Sequence, residues 1–209
     1  MKNSFLLKWT LANAIGLSFA FLAYIQFLLF YQHGLNFERH WDFEANMTQE
    51  EMESHLYIGI PFGLALFGII FSSIQALILK KFIPKIWPWI LNGAIGFVIV
   101  SLIIWLIGSA WGDIPGPVEP LIIIIGALTF TTLLQWRFLN RNQINATKAL
   151  LMFIVGVLLG NVLLFLLFYF ILGGTSWPLE IAITGLIVGG SAGFLSAKPY
   201  QKVLEERSV

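Results

Sequence analysis

The sequence predicts an all-α polytopic membrane protein: six transmembrane helices arranged as three helix-pair repeats, with both termini cytoplasmic. Three observations predict it. Of the 209 residues, 58% are hydrophobic and only 11% charged, with a mean hydropathy of +0.83. A soluble domain carries about 25% charged residues, so this chain has too little polar surface to coat a water-soluble globule. The apolar residues gather into charge-free runs near the ~20 residues that a membrane span needs. The basic residues fall almost wholly on alternate loops.

Six runs lie between charges: 9–37, 54–79, 86–112, 120–136, 149–179 and 181–197. The fifth is interrupted by Gly-Gly-Thr-Ser-Trp-Pro from Gly173 to Pro178, so its helix is expected to stop near Leu172. The fourth and sixth are short, and their helices are expected to extend past the flanking charges. The whole chain, 1–209, reads as a single transmembrane domain. Its helix pairs cover about 5–80, 86–138 and 149–197, with an extracytoplasmic loop inserted at 33–54.

Orientation follows from the loops. Lys2 and Lys8 precede the first run. Lys80, Lys81 and Lys85 separate the second and third. Arg137, Arg141 and Lys148 separate the fourth and fifth, and Lys198, Lys202 and Arg207 follow the sixth. Eleven of the twelve Lys and Arg residues thus share one side, with Arg39 alone opposite. Glu38, Asp42, Glu44, Glu50, Glu51, Glu53, Asp113, Glu119 and Glu180 fall on that opposite side. The positive-inside rule makes the basic side cytoplasmic.

The repeat rests on spacing. Gln75 to Lys81, then Trp89 through Asn92 to Gly96, has a partial copy sixty positions on, where Gln135 to Arg141 is followed by Gly156. Upstream, Trp9, Asn13 and Gly16 match Trp89 and Gly96 in spacing at an offset of eighty, and the additional twenty positions are the 33–54 insertion. Small residues at four-residue steps occur twice: Ala12, Gly16 and Ala20 in the first helix, and Gly185, Gly189, Gly193 and Ala197 in the sixth. Such stripes let helix backbones approach closely. They serve either packing within the chain or docking of a partner subunit.

The 33–54 loop is the only long connection. Thr48 to Glu51 fits a capping box, so the second helix is expected to begin near Gln49. Phe37, Trp41 and Phe43 alternate with Glu38, Asp42 and Glu44, a pattern suited to the headgroup level. His33, His40 and His55 sit among these acids, but their spacing fits no helical or turn set of metal ligands. An acidic lid is the reading preferred over a metal site, and Trp41 is its candidate ligand or partner residue.

The spans contain no Asp, Glu, Lys, Arg or His near mid-membrane. Their polar residues are neutral: Asn13, Gln26, Gln75, Asn92, Gln135 and Asn161, with several Ser and Thr. Proton relays and carboxylate-coupled transport would need ionisable groups there. Ser191 stands in a Gly-x-Ser-x-Gly pattern, but no His accompanies it in any helix and Lys198 is roughly 10 Å along the helix axis. It reads as a packing residue, and no catalytic residue, metal or cofactor is expected. Absence of Cys removes disulfides and Cys-ligated metals, and a net charge of +1 gives no basic field for nucleic acid. Gln75 with Lys80 and Lys81, and Gln135 with Arg137 and Arg141, form two basic corners. Each glutamine is either a clamp on neighbouring helices or, with its cations, a site for anionic lipid headgroups.

The corner Gln135-Trp-Arg-Phe-Leu-Asn-Arg141, followed by Gly156 and Gly160, resembles a loose group of bacterial multi-pass proteins, common in cyanobacteria. They are built from glycine-rich helix pairs with a Gln-Trp-x-x-Leu-x-Arg corner. That resemblance implies a bacterial cytoplasmic or thylakoid membrane and no particular activity. The Ala12, Gly16 and Ala20 stripe in a six-helix chain is also similar to the substrate-binding subunits of energy-coupling-factor vitamin transporters, which dock through such stripes. The function expected is non-enzymatic: a structural or assembly subunit that packs with itself or a larger membrane complex, surrounded by lipid. The alternative is a small-molecule or lipophilic-ligand binding and uptake subunit, its pocket under the 33–54 loop and lined by Trp41, Trp105, Trp111 and Asn13-type groups.

The orientation has a direct check. A reporter fused at Asp42 should be active only on the extracytoplasmic side, and cytoplasmic activity there would overturn the assignment.

Overall fold

A computed structural model describes residues 2–33, 58–83, 85–111, 118–141, 144–167 and 177–205. They form six α-helices and, among the described residues, no strand. The helices are α1 (Lys2–His33), α2 (Ile60–Leu79), α3 (Trp87–Trp111), α4 (Val118–Arg141), α5 (Thr147–Leu167) and α6 (Trp177–Glu205). Three contain segments long and apolar enough to cross a membrane: Ser4–Phe27 in α1, Ile60–Leu79, and Thr147–Leu167. The start of the second helix near Gln49, the end of the fifth near Leu172, and the acidic lid with Trp41 and the three histidines lie outside the described residues or their described side chains.

Local chemistry explains the helix ends. Pro61, Pro88, Pro120 and Pro178 all stand in the first turn of a helix, where the missing N–H costs nothing and the fixed φ suits the helix. Lys80 N–H bonds Ala76 O at 2.9 Å, and the amides of Phe82 and Ile83 both bond Leu79 O at 2.9 and 3.0 Å. The chain therefore turns out of α2 within one tight corner. Just before α5, Asn145 Oδ1 accepts from Thr147 N at 3.3 Å, an Asx turn that leads into the helix. Both short apolar runs do extend past their charges, since α4 reaches Arg141 and α6 passes Lys198 and Pro199 to Glu205. Pro199 removes one helix hydrogen bond without ending the helix.

Each helix packs against its two chain neighbours, and α6 closes on α1 in the most extensive seam of all. The result is a ring. One buried cluster joins Phe5 and Trp9 of α1, Ala76 and Leu79 of α2, Trp89 of α3, Leu139 of α4, Ala149 of α5, and Tyr200 and Leu204 of α6. It therefore gathers the starts of α1, α3 and α5 with the ends of α2, α4 and α6, so the helices alternate in direction. Lys80, Lys81, Arg137 and Arg141 are exposed at this end, which is called the basic end below. The other cluster fills the middle of the ring with Leu17, Phe67, Phe71, Phe97, Leu128, Phe153, Val157 and Val188.

Close seams need small residues. Gly68 of α2 lies against the backbone of Gly93 and Ala94 of α3, so a Cβ on Gly68 would meet the Gly93 carbonyl. Gly189 of α6 lies in the same way against Asn13 and Ala14 of α1. Gly126 differs: its Cβ would meet only Val100 Cγ1, at 3.4 Å. Gly68→Ala should therefore destabilise the bundle by about 1–3 kcal/mol through overpacking, while Gly126→Ala is neutral or slightly stabilising. Thermal unfolding in detergent, followed by tryptophan fluorescence, separates the two; equal losses would refute this account of the seam.

Candidate functional site

Of the neutral polar residues predicted inside the helices, Asn13, Gln75 and Gln135 converge at the basic end; Asn92 bonds Leu134 O at 3.2 Å, Asn161 bonds Val157 O within α5, and Gln26 is exposed. Trp89 Nε1–H donates to Gln75 Oε1 at 3.1 Å. Gln75 Nε2 donates to Asn13 Oδ1 at 2.8 Å, and Asn13 Nδ2 donates to Trp9 O at 2.8 Å. Trp9 Nε1–H donates to Ser196 Oγ at 2.9 Å, and that hydroxyl donates to Ala192 O at 2.7 Å. The path runs from α3 through α2 and α1 to α6. Gln135 attaches α4, with Nε2 at 3.1 Å from Ser72 Oγ and at 3.5 Å from both Gln75 Oε1 and Trp89 O. Five of the six helices are joined; α5 takes no part in these bonds.

The relay is dry. Trp9, Trp89 and Asn13 are fully buried, and Gln75 and Gln135 are 1% and 2% exposed. An amide suits such a place because it donates from nitrogen and accepts at oxygen, so one side chain satisfies two neighbours. Leaving any member unpaired here would cost far more than the bond contributes. Packing adds to it: Trp9 lies between Phe5, stacked at 6.1 Å, and Tyr200, at 4.9 Å. Burial raises the Tyr200 phenol above its ordinary range, so this group stays neutral.

The structure separates the residues of the two predicted corners. Gln75 and Gln135 are inside the relay, while Lys80, Lys81, Arg137 and Arg141 stand at the surface. The glutamines are buried and bonded to neighbouring helices, apart from the exposed cations. The stripes also resolve. Gly185, Gly189 and Gly193 face Ser18, Asn13 and Thr10 of α1, and Gly16 faces Phe71 and Ile74 of α2. Ala12 and Ala20 are buried within the bundle. All these small residues are engaged by the chain's own helices. Ser191 packs against Gly156 and Gly160 of α5. Among the described residues, no group of three His, Cys, Asp or Glu could hold a metal ion.

Reasoning from sequence missed Ser196, the partner of Trp9. Its signal was its place four residues past Ala192 on a small-residue face, which any helix-packing serine shares. Among the described residues, three buried side-chain atoms have no partner: Thr10 Oγ1, Thr131 Oγ1 and Asn161 Oδ1. No protein-family model, curated protein or solved structure matches this chain.

The geometry ranks the two glutamines. Gln75 makes the shorter bonds and holds two partners that have no substitute. Gln75→Leu should cost roughly 1–3 kcal/mol, whereas Gln135→Leu, losing one 3.1 Å bond and two marginal ones, should cost about 0.6 kcal/mol. Unfolding midpoints of the two variants in the same detergent decide it; the reverse order would mean that Gln135 is the principal clamp.

Proposed function

We propose that this chain is a non-enzymatic integral membrane protein of six spans in three helix pairs. Its basic end is cytoplasmic, and it serves as a structural subunit that associates with itself or with a larger membrane complex. The observation that carries the reading is the relay. Its polar groups are neutral amides, indoles and hydroxyls bonded to one another, which fix helix positions and leave no group to move a proton or attack a substrate. Since the Gly and Ala stripes are engaged inside the ring, association falls to the lipid-facing perimeter and to the 33–54 loop. The six-span reading draws on the alternating helix directions and on the shared end of the basic corners. The likeness of the 135–141 corner to cyanobacterial-type proteins points to a bacterial cytoplasmic or thylakoid membrane.

A second reading, a binding or uptake subunit for a lipophilic small molecule, has one observation in its favour. Asn161 is 6% exposed, gives its amide N–H to Val157 O at 2.8 Å, and leaves Oδ1 without a donor. It lies on the α5 face that carries Phe153, Val157 and Leu164 into the ring. A bound molecule with an N–H or O–H would complete it.

Cross-linking in native membranes followed by mass spectrometry distinguishes the readings. The structural role predicts a stoichiometric membrane partner or a second copy. A monomer that retains one small organic molecule through purification, and loses it on Asn161→Leu, would replace it with the uptake reading.

A further inference from the structure

The spacing that defines the helix pairs also shows where the ring departs from itself. Gly68 and Gly93 touch across the α2–α3 seam. Sixty positions on, Leu128 and Phe153 occupy the same places on α4 and α5, and both are buried. In the α6–α1 seam the corresponding contact is Gly189 on Asn13. The tryptophan clamp changes in the same way. Trp89 bonds Gln75, and Trp9 bonds Ser196, but Ala149 stands sixty positions after Trp89. Gln135, with no indole on α5 to receive, turns back to Ser72 on α2. The α4–α5 seam therefore lacks the glycine crossing and a buried tryptophan clamp, and it is the least extensive of the six among the described residues.

The same seam ends in a cationic corner. Arg137 and Arg141 lie in the last turns of α4 and Lys148 in the first turn of α5, all three exposed. Between Pro120 and Leu179 the chain has no Asp or Glu, so no carboxylate of either helix along that stretch offsets them. The corner is braced, since Trp136 Nε1–H donates to Thr147 Oγ1 at 3.2 Å and that hydroxyl donates to Asn145 Oδ1 at 2.9 Å. Above it, Leu133 on α4 and Leu151, Val155 and Leu158 on α5 are exposed apolar residues. Cations at the basic end of a sparsely packed apolar seam match the two ends of one kind of molecule.

We propose that the α4–α5 seam is the binding groove of an anionic phospholipid, its phosphate held by Arg137, Arg141 and Lys148 and an acyl chain lying between the helices. The other basic corner, with Lys80, Lys81 and Lys85, lies under a seam closed by Gly68 and Gly93. It attracts headgroups but holds no chain.

The test uses the full chain in detergent, titrated with phosphatidylglycerol or phosphatidylcholine of matched acyl chains and read by native mass spectrometry. Wild type should retain one phosphatidylglycerol in preference to phosphatidylcholine. R137Q/R141Q/K148Q should weaken that retention on the order of 100-fold, at about fivefold per cation, while K80Q/K81Q/K85Q leaves it within a few-fold. Equal losses in the two triple variants, equal retention of both lipids, or displacement by millimolar inorganic phosphate would each overturn the groove. A second measurement does not depend on charge variants. The chain has no cysteine, so spin labels go only where placed. Phosphatidylglycerol should shift the L133C–L151C distance across α4–α5 and leave the L77C–L91C distance across α2–α3 unchanged. A shift in neither pair, or in both alike, sinks the proposal.

Discussion

Gln75 is the side chain on which the bundle depends. In a medium without water, its oxygen and nitrogen must each find a partner from protein. It finds them on two different helices, Trp89 on α3 and Asn13 on α1. Few other arrangements satisfy both ends at once. A slide of α2 by one turn, about 5.4 Å, would strand the indole and the amide together. Apolar packing alone tolerates such slides, because one Leu resembles another to a lipid tail. The relay thus sets the register that the glycine seams then tighten. Asn13 shows the coupling, since its side chain takes the bond from Gln75 while its backbone receives Gly189 of α6.

Much of this was legible in the sequence, for identifiable reasons. The helices showed because charges interrupt apolar runs, and the basic corners showed because Lys and Arg cluster on alternate loops. Trp9 and Trp89 stood out through their common spacing to a glycine, and both proved to be indole donors at the same end. Gln75 and Gln135 stood out as amides inside apolar helices, with the clamp among the readings they allowed. What remained hidden is which surfaces face each other. A stripe such as Gly185, Gly189 and Gly193 announces a close approach without naming its target, and here the target is α1, more than 160 positions away in sequence. Ser196 and Trp9 are 187 positions apart, and no local pattern connects them. The difference between Gln75 and Gln135, alike in sequence context, also depends on the third dimension. One has an indole opposite, and the other has Ala149.

That difference bears on how the ring closes. The α2–α3 and α6–α1 seams share two contacts, a small-residue crossing and a polar clamp. Where both are present, the helices are fixed in distance and register. Where Leu128 and Phe153 stand in place of the glycines, the seam stays apolar but lacks the close backbone crossing. The central cluster accommodates this unevenness by filling with Phe67, Phe71, Phe97 and Phe153 from different heights and sides, where a symmetric ring would repeat one residue. The interior is asymmetric because its walls are.

The closure of α6 on α1 has a consequence for how the molecule is made. Helices α1 and α6, the farthest apart along this sequence, form the most extensive seam, and the relay crosses it. Until α6 is synthesised, the Trp9 indole lacks its serine and the face of α1 around Asn13 lacks the glycines shaped to it. Until then the chain is an open arc with an unfinished polar edge. Its maturation is a ring-closure event of long sequence separation, the slow kind of contact to form. A chain halted before residue 185 would retain α1 to α5 and the corners between them, yet lack the glycines and the serine that complete that edge.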